Sequence, residues 1–436
     1  MELTISNFAK IKSASIKING ITVIVGNNNT GKSTVGKILC SVFNSMANID
    51  SSLKDARVRN INRGLCNFLA HETDADGFSS EMPIFPVLHN VLSRFSRQVV
   101  ENGQKNDREK AVDSLIESVQ RRGNMKVDEH FRKRITSIID EALSISDKKL
   151  MDSIISLYFR RIFNERINNI DSPEKEAYIR LTIKEKHIDL HFKNDEISDE
   201  NTGIAFTNSA TYIDNPFILD RLNESYGMVR NSSYSLDADL YAKLRLNEDD
   251  DRIEDQALWQ ALISEKLSEI MKLVDDVVPG KIIFNDKYMY ENTNRKNALD
   301  VNSLSTGLKS FALLKQLLLN KKIKEKDVLV LDEPEIHLHP EWQLKYAELI
   351  VLMQKVFDLN VLITTHSSHF LEAIDVYAKI HKTNDLCNYY LAEMNTESNI
   401  SEFKDMTNDI GKIYSNLVSP SLLIDKIKEE HGIADE

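Results

Sequence analysis

The chain has 436 residues, of which 42% are hydrophobic and 28% are charged, and its formal net charge at pH 7 is −12. This length allows two or three domains with a sizeable core, and the composition is ordinary for a soluble globular protein. The acidic balance argues against a broad basic DNA-binding surface, although it leaves room for a local basic channel.

Neither the cysteines nor the hydropathy of the chain indicates secretion or a membrane. Cys40, Cys66 and Cys387 lack the spacing of a metal or disulfide site, which predicts reduced thiols. The sequence has no run of about 18 apolar residues and does not start with a charged segment followed by an apolar one. We therefore expect a cytoplasmic protein with no membrane partner.

The first part of the chain begins with strands and continues with helices. Two strand-like segments precede the β-branched run "ITVIV" at 21–25, which is typical of a buried parallel strand. A helix is predicted over 35–49, irregular structure over 50–85, and four short amphipathic helices between about 87 and 170. No heptad pattern persists, so these helices predict a packed insertion and not a coiled coil. Their mixed charges fit either a solvated face or a surface for nucleic acid or a partner.

Strand patterns return in the middle of the chain. Alternation over 178–192 predicts a hairpin, and "TYID" before Asn215-Pro216 predicts a further strand. Residues 236–275 have a helical pattern. The acidic run "EDDDRIED" within them could hold a metal ion, but it lacks a Gly turn and ligand spacing, so we interpret it as a solvated loop. "KIIFNDKYMY" predicts another strand pair.

The last third alternates buried strands with helices. "DVLVL" ends at Asp332-Glu333, Pro340 opens a helix, and the apolar strand "NVLITT" is followed by His366. Polar residues at the ends of such strands are typical of an α/β fold with a mostly parallel sheet.

A phosphate-binding loop is indicated by "GNNNTGKS" at 26–33, between a predicted strand and a predicted helix. Its glycines let the backbone curl around phosphates, and the helix N-terminus adds a positive partial charge. Lys32 is expected to reach the β- and γ-phosphates, Ser33 to bind Mg²⁺, and Thr34 to help hold the α-phosphate. The predicted nucleotide-binding residues of this loop are Gly26, Asn27, Asn28, Asn29, Thr30, Gly31, Lys32, Ser33 and Thr34.

Two acidic residues at the end of "VLVLDEPE" complete a nucleotide-hydrolysing site. Asp332 is placed to hold the Mg²⁺ shell, and Glu333 is placed to polarise the attacking water. The chemistry predicted from the two motifs is hydrolysis of a nucleoside triphosphate with Mg²⁺ as cofactor; the resemblance given below implies that the nucleotide is ATP.

Three further motifs have more than one interpretation from the residues alone. "LSTGLK" at 304–309 fits a plain helix N-cap at Ser305, and it also fits a hydroxyl and Gly307 that cap a γ-phosphate. His366 follows a strand directly, whereas His369 fits a helix start. The H-x-H pair in "EIHLHPEWQ" could mimic a metal site.

Taken together, these motifs resemble those of the ABC-type ATPases of the RecF/SMC/OLD superfamily. The resemblance covers residues 1–45 and about 280–395, and it implies that "LSTGLK" is the signature motif and that His366 senses the γ-phosphate. It also implies that Ser305 and Gly307 complete the nucleotide site of a second protomer. In layout and in the style of "EIHLHP" and "TTHS", the chain is similar to the ATPase subunits of bacterial anti-phage systems such as Septu and PARIS. The sequence offers no clear counterpart of the glutamine loop of that family.

The resemblance implies an ATPase head with an antiparallel lobe and a helical insertion. The expected domains are 1–49 and 276–395 as the two parts of the head, 50–175 as a helical insertion, 176–235 as a β-rich segment, 236–275 as a helical segment and 396–436 as a helical tail. The expected assembly is an ATP-sandwich homodimer, or a higher oligomer, with Glu333, His366 and Lys32 as catalytic residues.

Two functions of different classes remain open at this point. The protein could be a regulatory ATPase that controls a separate effector such as a nuclease or toxin, or a RecF-like repair clamp that binds DNA itself. The acidic charge and the missing coiled coil favour the first. A scaffold that binds ATP without turnover is a weaker alternative, since Glu333 argues against it.

Overall fold

The computed structural model describes most of the chain in two compact units. The described residues are 1–75, 84–101, 105–123, 127–169, 172, 174–198, 206, 208–224, 235–246, 267–292, 297–395, 400–415, 417, 427 and 431. The larger unit comprises Met1–Ala47 and Ile155–Glu436, and the smaller unit comprises Asn48–Ile154. The acidic run "EDDDRIED" lies outside the described residues.

The larger unit is built on an eleven-stranded sheet with the order β6-β5-β4-β1-β2-β14-β13-β3-β12-β11-β7. Its strands are β1 Glu2–Phe8, β2 Ile11–Lys17, β3 Ile21–Gly26, β4 Ala177–Ile183, β5 Lys186–Lys193, β6 Glu196–Ile197, β7 Ala210–Ile213, β11 Val328–Asp332, β12 Asn360–Thr365, β13 Cys387–Asn395 and β14 Ile400–Asp405. A separate antiparallel sheet holds β8 Gly280–Asn285, β9 Lys287–Asn292 and β10 Leu299–Asp300.

Five neighbouring strands, β13-β3-β12-β11-β7, pair in parallel, and β1, β2, β4, β5 and β6 form an antiparallel lobe of the same sheet. β3 and β11 are buried along their whole length. This matches their continuous apolar sequences, because strands covered on both faces cannot alternate. The predicted α/β class, with a mostly parallel centre, an antiparallel lobe and a helical insertion, is confirmed.

Helices of the larger unit follow the sheet strands. They are α1 Lys32–Met46, α6 Asp147–Ile162, which crosses the boundary of the two units, α7 Leu236–Leu244, α8 at 267–277, α9 Thr306–Leu319, α10 Pro340–Phe357 and α11 Ser368–Ile380. Short 3₁₀ helices cover Pro216–Asn223, Val301–Ser303 and Asn384–Leu386. The core between sheet and helices includes Leu314 of α9 and Ile350 of α10, both fully buried.

The smaller unit consists of helices around a core of its own. They are α2 Ile49–Ala75, α3 Ile84–Glu101, α4 Lys105–Gly123 and α5 Glu129–Ser144, together with the first half of α6. The expectation of irregular structure over 50–85 is wrong for α2. Gly64 suggests a chain break in the sequence, but a Cβ at this position would lie 2.7 Å from Cγ2 of Ile138. This glycine therefore allows two helices to pack closely.

Two expected boundaries differ from the structure. The insertion was expected over 50–175, but Phe159 of α6 packs against Phe8 and Phe192, so the chain rejoins the larger unit at Ile155. The tail at 396–436 is predicted to be helical; residues 410–415 and 417 are helical, but β14 before them pairs with β13 and β2 in the main sheet. The sequence of β14, "ISEFKD", is short and largely polar because most of its side chains are not buried, so its periodicity is weak.

A test of how closely the strands approach is Gly26→Ala, at the end of β3. An added Cβ would overlap the backbone carbonyl oxygen of Ala392 on β13, which cannot move aside as a side chain would. We expect the free energy of unfolding to fall by about 1–3 kcal/mol or more, measured by urea denaturation without nucleotide. Gly411→Ala is the matched control, because only Asp409 Oδ1, at 3.9 Å, lies near a Cβ there. Equal effects of the two substitutions would contradict the packing argument.

Candidate functional site

The site lies where three parallel strands end side by side. Asp332 of β11 pairs in register with Thr364 of β12, and Thr365 pairs with Val25 of β3. Since β3 leads into the phosphate loop, the loop, the two acids and His366 all arise from one edge of the sheet. The motifs that lie hundreds of residues apart in sequence are therefore brought together.

The phosphate loop curls through two residues with positive φ, Asn29 at 69° and Gly31 at 81°. Gly31 is the N-cap of α1 and offers no side-chain cap, so the first N–H groups of α1 are available to an anion. Asn27, Asn28 and Asn29 are exposed, while Thr30 is buried and donates to the Asn27 carbonyl at 2.8 Å. Thr34 is half-buried in the first turn of α1.

Lys32 is folded back over this loop. Its Nζ donates to the carbonyls of Gly26 at 2.8 Å and Asn27 at 2.9 Å, and it lies 3.8 Å from Oε1 of Glu333. Burial lowers the pKa of Lys32, and the nearby carboxylates, Glu333 first among them, oppose that shift. The ammonium is thus held at the centre of the loop by carbonyl oxygens and one acid.

Asp332 accepts hydrogen bonds from three hydroxyl groups. Ser33 Oγ donates to its Oδ1 at 3.0 Å, Thr364 Oγ1 donates to the same oxygen, and Tyr212 donates to Oδ2 at 2.6 Å. Burial and the charge of Asp332 raise the pKa of Tyr212 well above its usual value, so the phenol stays a donor. The sequence does not indicate that Tyr212 and Thr364 belong to the site, because "TYID" and "TT" predict only the ends of strands.

A magnesium ion fits the pair formed by Ser33 and Asp332. Mg²⁺ takes oxygen ligands, and in nucleotide sites the protein commonly supplies only one or two of them beside phosphates and water. The contact between Ser33 and Asp332 shows that two suitable oxygens already lie together. Within the described ranges, no group of three or more His, Cys, Asp or Glu is placed to hold a metal, and this includes the H-x-H pair.

Glu333 lies between Lys32 and His366. Its Oε1 is 3.8 Å from Nζ of Lys32 and 3.6 Å from Nδ1 of His366. Its φ is 50°, an uncommon value for a residue with a Cβ, and its N–H is held by the Thr364 carbonyl at 3.0 Å. Such backbone outliers persist where the surroundings fix them, frequently at functional sites. A quarter of the Glu333 side chain and about half of His366 are exposed, at 25% and 47%, so both can meet a ligand.

A second glutamate, Glu335, turns inward and is only 3% exposed. Its Oε1 accepts hydrogen bonds from the Thr365 hydroxyl and from the His366 backbone N–H at 3.4 Å. Burial raises the pKa of Glu335, and the hydrogen bond from Thr365 opposes that shift. The sequence places Glu335 in the "DEPE" motif and beside the H-x-H pair of a possible metal site, but an acidic residue in a loop gives no sign of burial.

Residues 304–309, which resemble a signature motif, are held by contacts within their own chain. Ser305 is exposed and caps α9, accepting from the Leu308 N–H at 3.5 Å. Gly307 is buried, and a Cβ there would lie 2.9 Å from the ring of Trp342. Among the described residues, no hydrogen bond or ion pair joins residues 302–309 to the phosphate loop.

Lys309, at the end of the "LSTGLK" segment, is buried and paired with an acid. Its Nζ lies 2.6 Å from Oδ1 of Asp220, donates to the Asn302 carbonyl at 3.2 Å, and lies 5.2 Å from the centroid of the Phe217 ring. Phe217 in turn meets His337 edge to face, with ring centroids 5.7 Å apart.

His369 lies in the first turn of α11, as expected.

A phosphate loop between a parallel strand and a helix, with Asp332 and Glu333 at the end of β11 and His366 at the end of the intervening β12, is the arrangement of a P-loop nucleotide-binding domain. A family model described as an AAA ATPase domain matches residues 1–371. The chain therefore belongs to this family of ATPase domains. The narrower resemblance to subunits of anti-phage systems stays a prediction.

Solved structures with similar folds include heads of SMC proteins. An SMC head bound to the C-winged helix domain of ScpA has a TM-score of 0.43 at 12% identity, and the match covers 93% of this chain and 97% of that one. The SMC head from Thermotoga maritima has a TM-score of 0.37 at 11% identity, with 93% and 97% covered. One from Pyrococcus furiosus, with an extended coiled coil and bound to the C-terminal domain of ScpA, has a TM-score of 0.39 at 11% identity, with 98% of both chains covered.

The lengths and hydropathy of the described helices test whether one of them could span a membrane. None of the helices in the described part of the chain is both long and apolar enough to cross a membrane.

Replacing Glu335 by Gln should change how stability depends on pH. Because burial raises the pKa of Glu335, the folded protein binds more protons at this site than the unfolded chain between about pH 4.3 and the raised folded value. Linkage then requires the contribution of this carboxyl to stability to fall as pH rises through that window and to level off above it.

The free energy of unfolding of the wild type minus that of Glu335→Gln should therefore decrease from about pH 4 upward and then become constant. Urea unfolding of both proteins at a series of pH values measures this difference. A difference that does not vary with pH would contradict a raised pKa.

Proposed function

We propose that this protein binds ATP with Mg²⁺ at the phosphate loop and hydrolyses it. The observation that carries the proposal is the position of Glu333, within 4 Å of both Lys32 and His366 and beside the Ser33–Asp332 pair. A carboxylate in that position can orient and deprotonate a water that attacks the γ-phosphate.

Each residue of the loop has a proposed role. Backbone N–H groups from Gly26 to Ser33, which include Asn27, Asn28, Asn29, Thr30 and Gly31, would surround the β-phosphate. Lys32 would exchange its two carbonyl partners for phosphate oxygens, a stronger interaction because the acceptor is charged. Thr34, in the first turn of α1, would support the α-phosphate.

Mg²⁺, held by Ser33 and Asp332, would neutralise charge on the β- and γ-phosphates. Tyr212 and Thr364 keep the Asp332 carboxylate in one orientation, as hydrogen-bonded outer residues do for metal ligands. His366, beside Glu333, would contact the γ-phosphate and sense its presence.

We further propose that two protomers close around two ATP molecules. Ser305 is exposed at the N-terminus of α9, where a hydroxyl and free N–H groups can cap a phosphate. Two apolar side chains lie exposed beside this segment, Phe217 at 41% and Ile336 at 52%. A second copy of the chain would cover such side chains, and each Ser305 and Gly307 would then face the ATP of the other protomer.

For the biological role, we propose a cytoplasmic regulatory ATPase that controls a separate effector, such as a nuclease or toxin, in defence against phage. The smaller helical unit, Asn48–Ile154, is available as a partner-binding element. The net charge of −12 favours a protein partner over DNA. A DNA clamp is the alternative, because basic side chains are present on α5.

Glu333→Gln should separate ATP binding from hydrolysis. The amide keeps the shape and one oxygen but cannot accept a proton from water, and loss of a catalytic base typically slows turnover by about 10²–10⁴-fold. ATP affinity should change little, so ATP-bound dimers should accumulate. Phosphate release assays and size-exclusion chromatography with ATP measure the two effects. Unchanged turnover would remove Glu333 from the mechanism.

Ser305→Arg should abolish turnover and ATP-driven dimerisation while leaving ATP binding largely intact, because the phosphate loop of the same chain is unaltered. Lys32→Ala should lose ATP binding instead. Mixing the two inactive variants should restore activity, since each heterodimer would hold one intact site. Either variant mixed with itself is the control, and loss of ATP binding by Ser305→Arg alone would place this segment in the pocket of its own chain.

The regulatory role can be separated from the DNA clamp with the trapped Glu333→Gln protein. The product of the neighbouring open reading frame should co-purify with it to a different extent than with Lys32→Ala, because the two variants hold opposite nucleotide states. No difference in that association, together with tight ATP-dependent binding to DNA in a gel-shift assay, would favour the clamp.

A further inference from the structure

Glu335 is a buried acid for which the proposed hydrolysis has no chemical role. It follows Glu333 by two residues, yet it is only 3% exposed, whereas the Glu333 side chain is 25% exposed. One of its oxygens, Oε2, is buried without a hydrogen-bond partner among the described residues. Burying a carboxylate oxygen without a hydrogen bond lowers the free energy of unfolding. An apolar side chain would therefore suit this position better, unless the hydrogen bonds of the other oxygen have a function.

The other oxygen of Glu335, Oε1, has two hydrogen-bond partners. It accepts from the hydroxyl of Thr365, the last residue of β12, and from the backbone N–H of His366 at 3.4 Å. Glu335 therefore ties the loop that follows β11 to the point where the chain leaves β12.

The hydrogen bonds continue on the far side of His366. Thr365 Oγ1 also accepts from the Ser367 N–H at 3.0 Å, and Ser367 Oγ caps α11 by accepting from the Phe370 N–H at 3.2 Å. The backbone on both sides of His366 is thus fixed through Thr365, which depends on Glu335. In the same arrangement, the His366 ring keeps its 3.6 Å distance to Glu333.

We propose that Glu335 is a positioning residue for hydrolysis: it holds the backbone of His366 so that the imidazole stays beside Glu333 at the γ-phosphate. The inference rests on the proposed ATPase function. Glu335 itself is buried and does not reach the nucleotide; it acts only through His366. Its loss should therefore affect the chemical step and not the affinity for ATP, which depends on the phosphate loop.

The variants Glu335→Ala, Glu335→Gln and Thr365→Val test this role in the full-length protein. Glu335→Ala should lower kcat about 10–100-fold, the usual effect of removing a residue that orients a functional ligand, with ATP affinity within about 2-fold of wild type. Glu335→Gln keeps an oxygen acceptor in place and should retain most of the activity. Thr365→Val removes the hydroxyl that donates to Glu335 and accepts from the Ser367 N–H, so it should also lower kcat.

A double-mutant cycle with His366→Ala identifies the route of the effect. If Glu335 acts through His366, adding Glu335→Ala to His366→Ala should reduce kcat no further. A general loss of packing would instead multiply the two reductions. Asp327→Asn is the matched control: Asp327 is buried at the other end of β11 and accepts from the Ser209 and Lys324 N–H groups, so its loss should lower stability but leave kcat unchanged.

The outcomes are distinguishable from a failure of the proposed function. Wild-type protein without ATP turnover would remove both the ATPase proposal and this inference. Turnover in the wild type with full kcat in Glu335→Ala, or multiplied losses in the double variant, would overturn the inference alone. If Glu335→Ala does not fold, undiminished kcat in Thr365→Val would overturn it equally.

Discussion

The parallel register of β3, β12 and β11 is the constraint on which the rest of the site depends. Each strand is apolar and buried, so the three can pair only inside a layer covered on both faces. Their register brings the carboxyl ends of the strands to one edge, with Asp332 opposite Thr364 and Thr365 opposite Val25. A shift of one residue in β11 would turn Asp332 to the other face and remove it from Ser33.

Burying charge at this edge requires partners for each charged group. Lys32 is held by two carbonyls, and Asp332 by the hydroxyls of Ser33, Thr364 and Tyr212. These contacts offset the desolvation of the ions and fix their orientation before any ligand arrives. Preformed orientation is what a catalytic site needs, because less reorganisation then remains for the reaction step.

One short segment, Ala210–Asn223, contacts both Asp332 at the end of β11 and Lys309 in the "LSTGLK" segment. Tyr212 on β7 bonds to Asp332, while Asp220 and Phe217 on the following 3₁₀ helix hold Lys309. The Asn215-Pro216 pair explains this change of direction, since Asn215 accepts from the Phe217 N–H and Pro216 opens the helix. Asp332 and residues 304–309 of one protomer are therefore linked through a continuous piece of chain, and in the proposed dimer each would serve a different ATP.

The sequence by itself determined the α/β class, the phosphate loop and the identity of the acids at the end of β11, because these depend on local patterns: a glycine-rich loop, apolar strands and polar strand ends. It did not reveal α2, where Gly64 looked like a break, or β14, which is too polar to stand out. Nor could it show that Tyr212, Thr364 and Glu335 belong to the site. Their positions depend on which strands become neighbours and which side of a loop faces inward, and only the tertiary structure decides that, since the contacts join residues 30 to 120 positions apart.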